Sequence, residues 1–173
     1  MTFGSIKEEM RRERLREEAV KEGIPRLRGI DDEKAYLSWL GGFFDGEGCV
    51  TILRGKKTTG YPYYHTLKVE IGGNFKEILE EIEKRFGGTL SQKSDSSKFA
   101  WRLQLSAKKA LHFLEIIQPY VRLKHEEVET GIEFQRHKIT VWPDSYGEIE
   151  RQESLLFRIQ FLNKVRNTGD RVN

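Results

Sequence analysis

The sequence predicts an α+β fold in which pairs of antiparallel strands alternate with helices. Three observations lead to this fold class. Apolar and polar residues alternate through residues 63–71, which is the period of a half-buried strand, and apolar residues recur at helical spacing through residues 75–86. Glycine-rich or polar segments separate the successive elements and are turn signals. The resulting order is helix, two strands, helix, two strands and helix, followed by a helical tail.

The first predicted helix begins at Asp31 or Asp32, either of which is a good N-cap, and it contains two adjacent glycines. Each glycine inside a helix costs about 1 kcal/mol relative to alanine. A sequence that accepts two of them needs their small size for close packing. We therefore expect a second helix to pack against this face. The face consists of residues at spacings of three or four, namely Ser38, Gly41, Gly42 and Asp45.

The later elements are delimited by local signals. Gly87-Gly88 ends the second helix as a C-cap, and Pro119 stops the third. Ser145 and Glu148 have the spacing of a capping box that opens the last helix. The predicted elements after the first helix cover residues 49–54, 63–71, 75–86, 89–93, 99–105, 107–118 and 119–138, with a final helix from 145.

One domain with terminal extensions accounts for the 173 residues. We predict a charged N-terminal extension at 1–30, a central domain at 31–139 and a helical C-terminal extension at 140–173. The N-terminal extension is either a solvated or frayed helix or a basic arm that lies along an anionic partner. Such an arm would use Arg11, Arg12, Arg14 and Arg16.

Composition excludes several classes of protein. The sequence has no run of about 18 apolar residues, so we predict no transmembrane helix and no membrane partner. The single cysteine excludes an internal disulfide, and no dinucleotide or phosphate-loop fingerprint is present. We therefore expect a cytoplasmic protein without an organic cofactor. The net charge of +3 does not by itself identify a nucleic-acid binder.

Polar side chains of the types that read base edges lie on the outward faces of the predicted strands. A strand of about ten residues spans roughly 33 Å, close to one turn of duplex. On the residues alone, two interpretations stay open: contacts in the major groove of DNA, or an ordinary half-exposed antiparallel sheet. The predicted DNA-binding residues are Thr51, Arg54, Lys56, Lys57, Tyr64, Thr66, Lys68, Glu70, Ser91, Lys93, Arg102 and Gln104.

The segment Asp45-Gly46-Glu47-Gly48 lies where the first helix ends and the first strand begins. Two carboxylates on a glycine turn, with the Gly46 carbonyl nearby, offer oxygen ligands to Mg²⁺. The alternative is that both acids only cap and solvate the helix end. His65 lies on the apolar face of its strand, so we expect a hydrogen-bonded core histidine and not a metal ligand.

Residues 40–48, Leu-Gly-Gly-Phe-Phe-Asp-Gly-Glu-Gly, resemble the motif of the LAGLIDADG homing endonucleases. The segment 119–124, Pro-Tyr-Val-Arg-Leu-Lys, is similar to the one that carries the active-site lysine of that family. The resemblance covers about residues 31–138. It implies an αββαββα fold whose antiparallel four-stranded sheet forms half of a DNA-binding saddle.

The resemblance also implies an assembly and an activity. Chains with a single motif pair as homodimers through their motif helices, which assigns Ser38, Gly41, Gly42 and Asp45 to the dimer interface. The implied activity is site-specific cleavage of double-stranded DNA at a pseudo-palindromic target by an intron- or intein-encoded enzyme.

Four residues receive chemical roles from the resemblance. Glu47 and the Gly46 carbonyl would hold Mg²⁺ or another divalent cation such as Mn²⁺. Lys124 would stabilise negative charge in the transition state, and Asn74 is the candidate for the water-ordering group of the family. Glu47 stands where many members have Asp, so its carboxylate reaches one methylene further.

Two other functions remain open from the sequence. One is a non-cleaving nucleic-acid-binding module, such as an intron-RNA maturase or a DNA-binding regulator. Such a chain is free to lose the metal-binding carboxylate, which is retained here as Glu47. The other is a small α+β protein-interaction domain, whose binding would respond little to salt.

Overall fold

Four antiparallel strands form a single sheet in this computed structural model, which describes residues 32–56, 63–92, 100–140 and 146–168. The strands are β1 (Gly48–Lys56), β2 (Tyr63–Gly73), β3 (Thr89–Gln92) and β4 (Trp101–Ser106), and their order across the sheet is β1-β2-β4-β3. The helices are α1 (Glu33–Glu47), α2 (Lys76–Phe86), α3 (Ala107–Ile117), α4 (His125–Thr140) and α5 (Tyr146–Thr168), with a 3-10 turn at Gln118–Tyr120. These elements belong to one compact unit. The predicted α+β class and αββαββα order are confirmed, and α5 follows as the helical tail.

The strand register places the apolar residues of the sheet on one common face. Val50 pairs with Val69 and Ile52 with Leu67, while Val69 also pairs with Leu105 on its other side. All five side chains are at most 4% exposed. Because side chains alternate between the two faces of a strand, this register directs the intervening polar residues to the opposite face.

An aromatic cluster beneath the sheet fixes the end of α1. The ring of Phe44 in α1 lies 5.5 Å from that of Phe113 in α3, which lies 5.1 Å from that of Phe86 in α2, both in edge-to-face geometry. Phe44 and Phe113 are fully buried. Burial of each such ring contributes about 1.5–3 kcal/mol, so the last turn of α1 is anchored by its apolar residues.

The predicted helix ends are largely confirmed. Gly87 adopts a φ of 74° and donates its N–H to the Glu83 carbonyl at 2.7 Å, as expected for a C-cap glycine. Helix α3 ends at Ile117, and Pro119 lies within the 3-10 turn that follows. No described helix is both long enough and apolar enough to span a bilayer.

Helix α5 packs against α4 and against β1, which is an edge strand of the sheet. Its predicted apolar positions Ile149, Leu155, Leu156 and Ile159 are buried. The Asn163 amide also donates to a β1 carbonyl, that of Val50, at 3.0 Å. The C-terminal helix is therefore an integral layer of the unit.

His65 is a core histidine, as predicted. It is 1% exposed, and its Nδ1 lies 3.1 Å from the Gln152 Oε1 while its Nε2 lies 3.0 Å from the Glu153 Oε1. These contacts tie β2 to α5. The Glu148 of the predicted capping box accepts instead from the Gln152 amide at 2.8 Å, and Ser145 lies outside the described residues.

Candidate nucleic-acid interface

The face of the sheet away from the helices carries most of the side chains predicted to contact DNA. The register sets Thr51 beside Lys68, Glu70 beside Gln104, and Ser91 beside Arg102. Paired residues in adjacent strands project to the same face, and these residues alternate with the buried apolar ones. The outer face is therefore defined by Thr51, Tyr64, Thr66, Lys68, Glu70, Ser91, Arg102 and Gln104.

Arg54 and Lys56 lie on the opposite face of the sheet, and their contact with DNA stays a prediction. Arg54 pairs with His65 and has the same parity along β1 as Val50 and Ile52. Its Nη1 lies 3.4 Å from the Glu153 Oε1 of α5. Their basic character suggested the outer face, but strand parity decides orientation. The remaining predicted contacts, Lys57 and Lys93, lie outside the described residues.

A single carboxylate organises the polar side chains of the outer face. The Glu70 Oε1 accepts a hydrogen bond from the Gln104 Nε2 at 3.0 Å and forms an ion pair with the Arg102 Nη1, also at 3.0 Å. The Lys68 Nζ lies 3.6 Å from the same oxygen. We define these four residues as the Glu70 cluster. Hydrogen bonds to a charged group are stronger than neutral ones, so Glu70 restrains three side chains that can contact DNA.

The motif places its two acids in different environments. The Asp45 carboxylate accepts backbone N–H bonds from Arg122 at 2.7 Å and from Leu123 and Lys124 at 3.0 Å. From the last turn of α1 it therefore holds the segment that leads into α4. Its predicted place at the helix end is confirmed. Its oxygens accept three hydrogen bonds within the chain, and its role at a dimer interface stays a prediction.

Lys124 completes a reciprocal clamp with Asp45. Its Nζ donates to the carbonyls of Phe44 at 3.0 Å and of Asp45 at 2.6 Å, in the last turn of α1. A cation is favourable at the C-terminus of a helix. The side chain is 7% exposed, and burial, together with the positive charge of Arg166, lowers the pKa of this lysine. We call Asp45 and Lys124 the α1–α4 clamp.

The clamp brings Lys124 to the end of the motif, as the sequence predicted, but with its ammonium already engaged. Two of the three N–H donors of a lysine are used by the two carbonyls. One donor direction remains for an anion at this end of α1.

Glu47 is the acid of the motif that remains available. It is half-buried, and within the described part of the chain no hydrogen bond or ion pair engages its carboxylate. The neighbouring Gly46 is exposed and has no atom within 4 Å of the position that a Cβ would take. Mg²⁺ binds through one or two carboxylates and completes its shell with water and phosphate oxygens. The Glu47 carboxylate and the Gly46 carbonyl fit this way of binding Mg²⁺. The described residues contain no group of three His, Cys, Asp or Glu that would hold a metal without water or phosphate.

The two glycines of α1 face different surroundings. A Cβ at Gly41 would lie 2.6 Å from the Tyr120 Cβ and 2.7 Å from its carbonyl carbon and oxygen. The close approach at Gly41 is therefore made within one chain, by Tyr120, and its place in a dimer interface stays a prediction. Gly42 is exposed, and a Cβ at this position would meet no described atom within 4 Å. Ser38 is exposed as well.

The side chain of Asn74 has a structural contact. Its Oδ1 accepts the backbone N–H of Ala100 at 3.0 Å, so it joins the end of β2 to the residue before β4. Its amide N–H groups are not used in this contact, and its role as a water-ordering group stays a prediction.

Sequence reasoning missed Tyr120 and Arg166. Tyr120 packs so close to α1 that position 41 has no room for a side chain. Arg166 of α5 donates to the Leu123 carbonyl at 2.7 Å, beside the clamp. Neither contact has a local sequence signal, because each joins elements that are far apart in the chain.

Solved structures of several homing endonucleases share this fold. I-CvuI, crystallised with the I-CreI target, superposes with a TM-score of 0.66 at 18% identity, covering 75% of this chain and 82% of that chain. The archaeal intron-encoded I-Vdi141I, complexed with DNA, gives 0.67 at 14% identity, covering 76% and 86%. I-TnaI gives 0.61 at 17% identity, covering 76% and 96%. None of the curated proteins matches the sequence.

The family comparison covers the elements that build the site. The LAGLIDADG endonuclease profile matches residues 40–128, just over half of the chain, from the second half of α1 to the first turn of α4. With the motif at the end of α1 and the sheet beside it, this match shows that the chain belongs to the LAGLIDADG endonuclease family.

Proposed function

We propose that this chain is a site-specific double-strand DNA endonuclease that acts as a homodimer with a divalent cation, Mg²⁺ in the first instance. One observation carries the proposal. Glu47, whose carboxylate no described residue engages, and Lys124, held by the clamp, both lie at the end of the motif helix. The motif is directly continuous with the first strand of the polar sheet face. Binding and chemistry would therefore be coupled through adjoining residues.

The outer face of the sheet is the proposed DNA-binding surface. Strand β2 has 11 residues and spans about 36 Å at roughly 3.3 Å per residue, which is close to one turn of duplex. Its outward side chains are hydrogen-bond donors and acceptors, with the Glu70 cluster near its centre. I-CvuI and I-Vdi141I, which share the fold, were crystallised with DNA.

The exposed side of α1 is the proposed dimer interface. Gly42 and Ser38 lie there, and the absence of a side chain at Gly42 lets a second helix approach closely. One protomer supplies a single available motif carboxylate. A two-fold axis along this face would bring two copies of Glu47 together and would imply a pseudo-palindromic target.

The proposed chemistry assigns one task to each group. Glu47 and the Gly46 carbonyl hold the cation, which supplies charge neutralisation at the scissile phosphate when it is bound. Lys124 directs its remaining N–H toward the same end of α1 and stabilises negative charge on the phosphate or the leaving oxygen. The clamp orients that lysine before DNA binds.

Glu47→Gln tests the proposal. The wild-type chain should cut a plasmid library of random inserts at one sequence in Mg²⁺ and should not cut in EDTA. Glu47→Gln should bind the recovered target duplex with unchanged affinity and leave it intact. Glu77→Gln, an exposed acid of α2, is the matched control and should cut normally. Normal cutting by Glu47→Gln would reject the assignment.

A non-cleaving nucleic-acid-binding module is the second candidate, and one contact favours it. The oxygen of Asn74, the candidate water-ordering group, accepts the N–H of Ala100. The I-CvuI complex in 2 mM Mg also contains DNA that is not cleaved. Salt-sensitive retention of DNA or intron RNA without cutting in Mg²⁺ would establish this function.

A further inference from the structure

Arg166 lies near the end of α5, outside the residues matched by the family profile. Its Nη2 donates to the Leu123 carbonyl at 2.7 Å, and its guanidinium forms an ion pair with Glu127 of α4. Glu127 is 1% exposed. The C-terminal helix therefore provides the counter-charge for a buried carboxylate next to the clamp.

The segment before α4 is held from two sides. Asp45 accepts the N–H groups of Leu123 and Lys124, while Arg166 donates to the carbonyl of Leu123. The peptide groups on both sides of Leu123 are thus engaged by opposite charges from α1 and α5. The direction in which the Lys124 side chain leaves the backbone depends on both contacts.

Glu127 is the competitor for the Lys124 ammonium. It lies three residues after Lys124, in the first turn of α4, and it acts electrostatically on Lys124. An unpaired buried carboxylate is strongly unfavourable. If Arg166 were absent, Glu127 would lose this counter-charge and would draw the Lys124 ammonium away from the carbonyls of Phe44 and Asp45.

We propose that Arg166 is a positioning residue for the active site: by neutralising Glu127 and holding the Leu123 carbonyl, it keeps the Lys124 ammonium at the end of the motif helix. This inference rests on the proposed endonuclease function. It makes the C-terminal helix part of the catalytic apparatus, although the helix lies outside the matched region.

The test compares single-turnover cleavage of the target by four variants. Arg166→Met should lower the cleavage rate at least tenfold with DNA affinity unchanged, and Arg166→Lys should recover part of the loss. Arg166→Met combined with Glu127→Gln should recover most of it, because the competing carboxylate is removed. Arg151→Met is the matched control, since Arg151 forms another α5–α4 ion pair, with Glu133 at 2.9 Å, on the exposed surface.

A second measurement does not depend on cleavage. Acetic anhydride labelling followed by mass spectrometry should show higher reactivity of Lys124 in Arg166→Met than in the wild type and in Arg151→Met. Wild-type cleavage rate in Arg166→Met, or unchanged labelling of Lys124, would overturn the inference. Failure of the wild-type chain to cut any DNA would instead overturn the proposed function, and the labelling would still decide the position of Lys124.

Discussion

The two adjacent glycines of α1 should respond in opposite directions to the same substitution, because their surroundings differ. Alanine is favoured over glycine in a helix by about 1 kcal/mol. At Gly42 no neighbour opposes that gain, so Gly42→Ala should stabilise the protomer by about 1 kcal/mol. At Gly41 the new methyl would meet Tyr120 Cβ and backbone atoms at 2.6–2.7 Å. Overpacking costs about 1–3 kcal/mol, and backbone cannot move aside as a side-chain end can, so Gly41→Ala should destabilise by about 1–2 kcal/mol net.

The assay is urea and thermal unfolding of the two variants and the wild type, at several protein concentrations so that dimer dissociation is separated from folding. For a chain of this length, each kcal/mol lost from the free energy of unfolding lowers the melting temperature by about 2–4 °C. Gly41→Ala should therefore melt several degrees below Gly42→Ala. Equal stability of the two variants would refute the placement of Gly41 against Tyr120.

The same pair of variants tests the proposed dimer. Gly42→Ala places a methyl on the exposed face of α1, where a partner helix would approach, while Gly41→Ala adds nothing to that face. Sedimentation should show weaker self-association for Gly42→Ala despite its more stable protomer. Undiminished self-association of Gly42→Ala would reject the helix face as the interface.

Three further predictions concern single side chains. Asp45→Ala removes an acceptor of three backbone N–H groups and should lower the free energy of unfolding by about 2–4 kcal/mol. Each charge-assisted hydrogen bond contributes about 1.5–3 kcal/mol, but exposed N–H groups bond to water once the carboxylate is gone, so the total is less than the sum of three. An unchanged urea midpoint would contradict this. Glu70→Gln removes the carboxylate that holds Arg102 and should strengthen non-specific DNA binding and make it more salt-dependent. In anisotropy titrations, the ratio of target affinity to non-specific affinity should fall. An unchanged ratio would count against the Glu70 cluster. Burial raises the pKa of Tyr36 to about 12, so the tyrosine ionises at lower pH in the unfolded chain than in the folded one. The stability that it contributes is therefore present below about pH 10 and lost between about pH 10 and 12. Tyr36→Phe should make the free energy of unfolding less dependent on pH over that range, and an unaltered pH dependence would refute the effect.

The local elements were predictable from the sequence because their signals are local. Alternation through residues 63–71 and the apolar spacing of residues 75–86 follow from the geometry of strand and helix, and Gly87 and Gly88 marked the turn after α2. The motif residues likewise predicted the family, which the match to residues 40–128 shows. Even the burial of His65 followed from its parity on β2.

The tertiary structure decided which of two similar residues has which role. Gly41 and Gly42 are identical in sequence terms, but Tyr120 packs against only one of them. Asp45 and Glu47 are both acids of the motif, but the segment before α4 occupies Asp45 alone. Arg54 and Thr51 are both polar residues of β1, but the register places Arg54 on the face of His65 and Thr51 on the opposite face.

These distinctions share a physical reason. Helix and strand periods arise from backbone geometry over a few residues, so a short stretch of sequence carries them. Partner choice depends on contacts between segments separated by tens of residues, such as Arg166 with Leu123, and no local pattern records such a distance. The sequence by itself determined the fold class, the motif and the candidate Glu47, whereas packing between distant elements decided that Asp45, Lys124 and Arg166 act together.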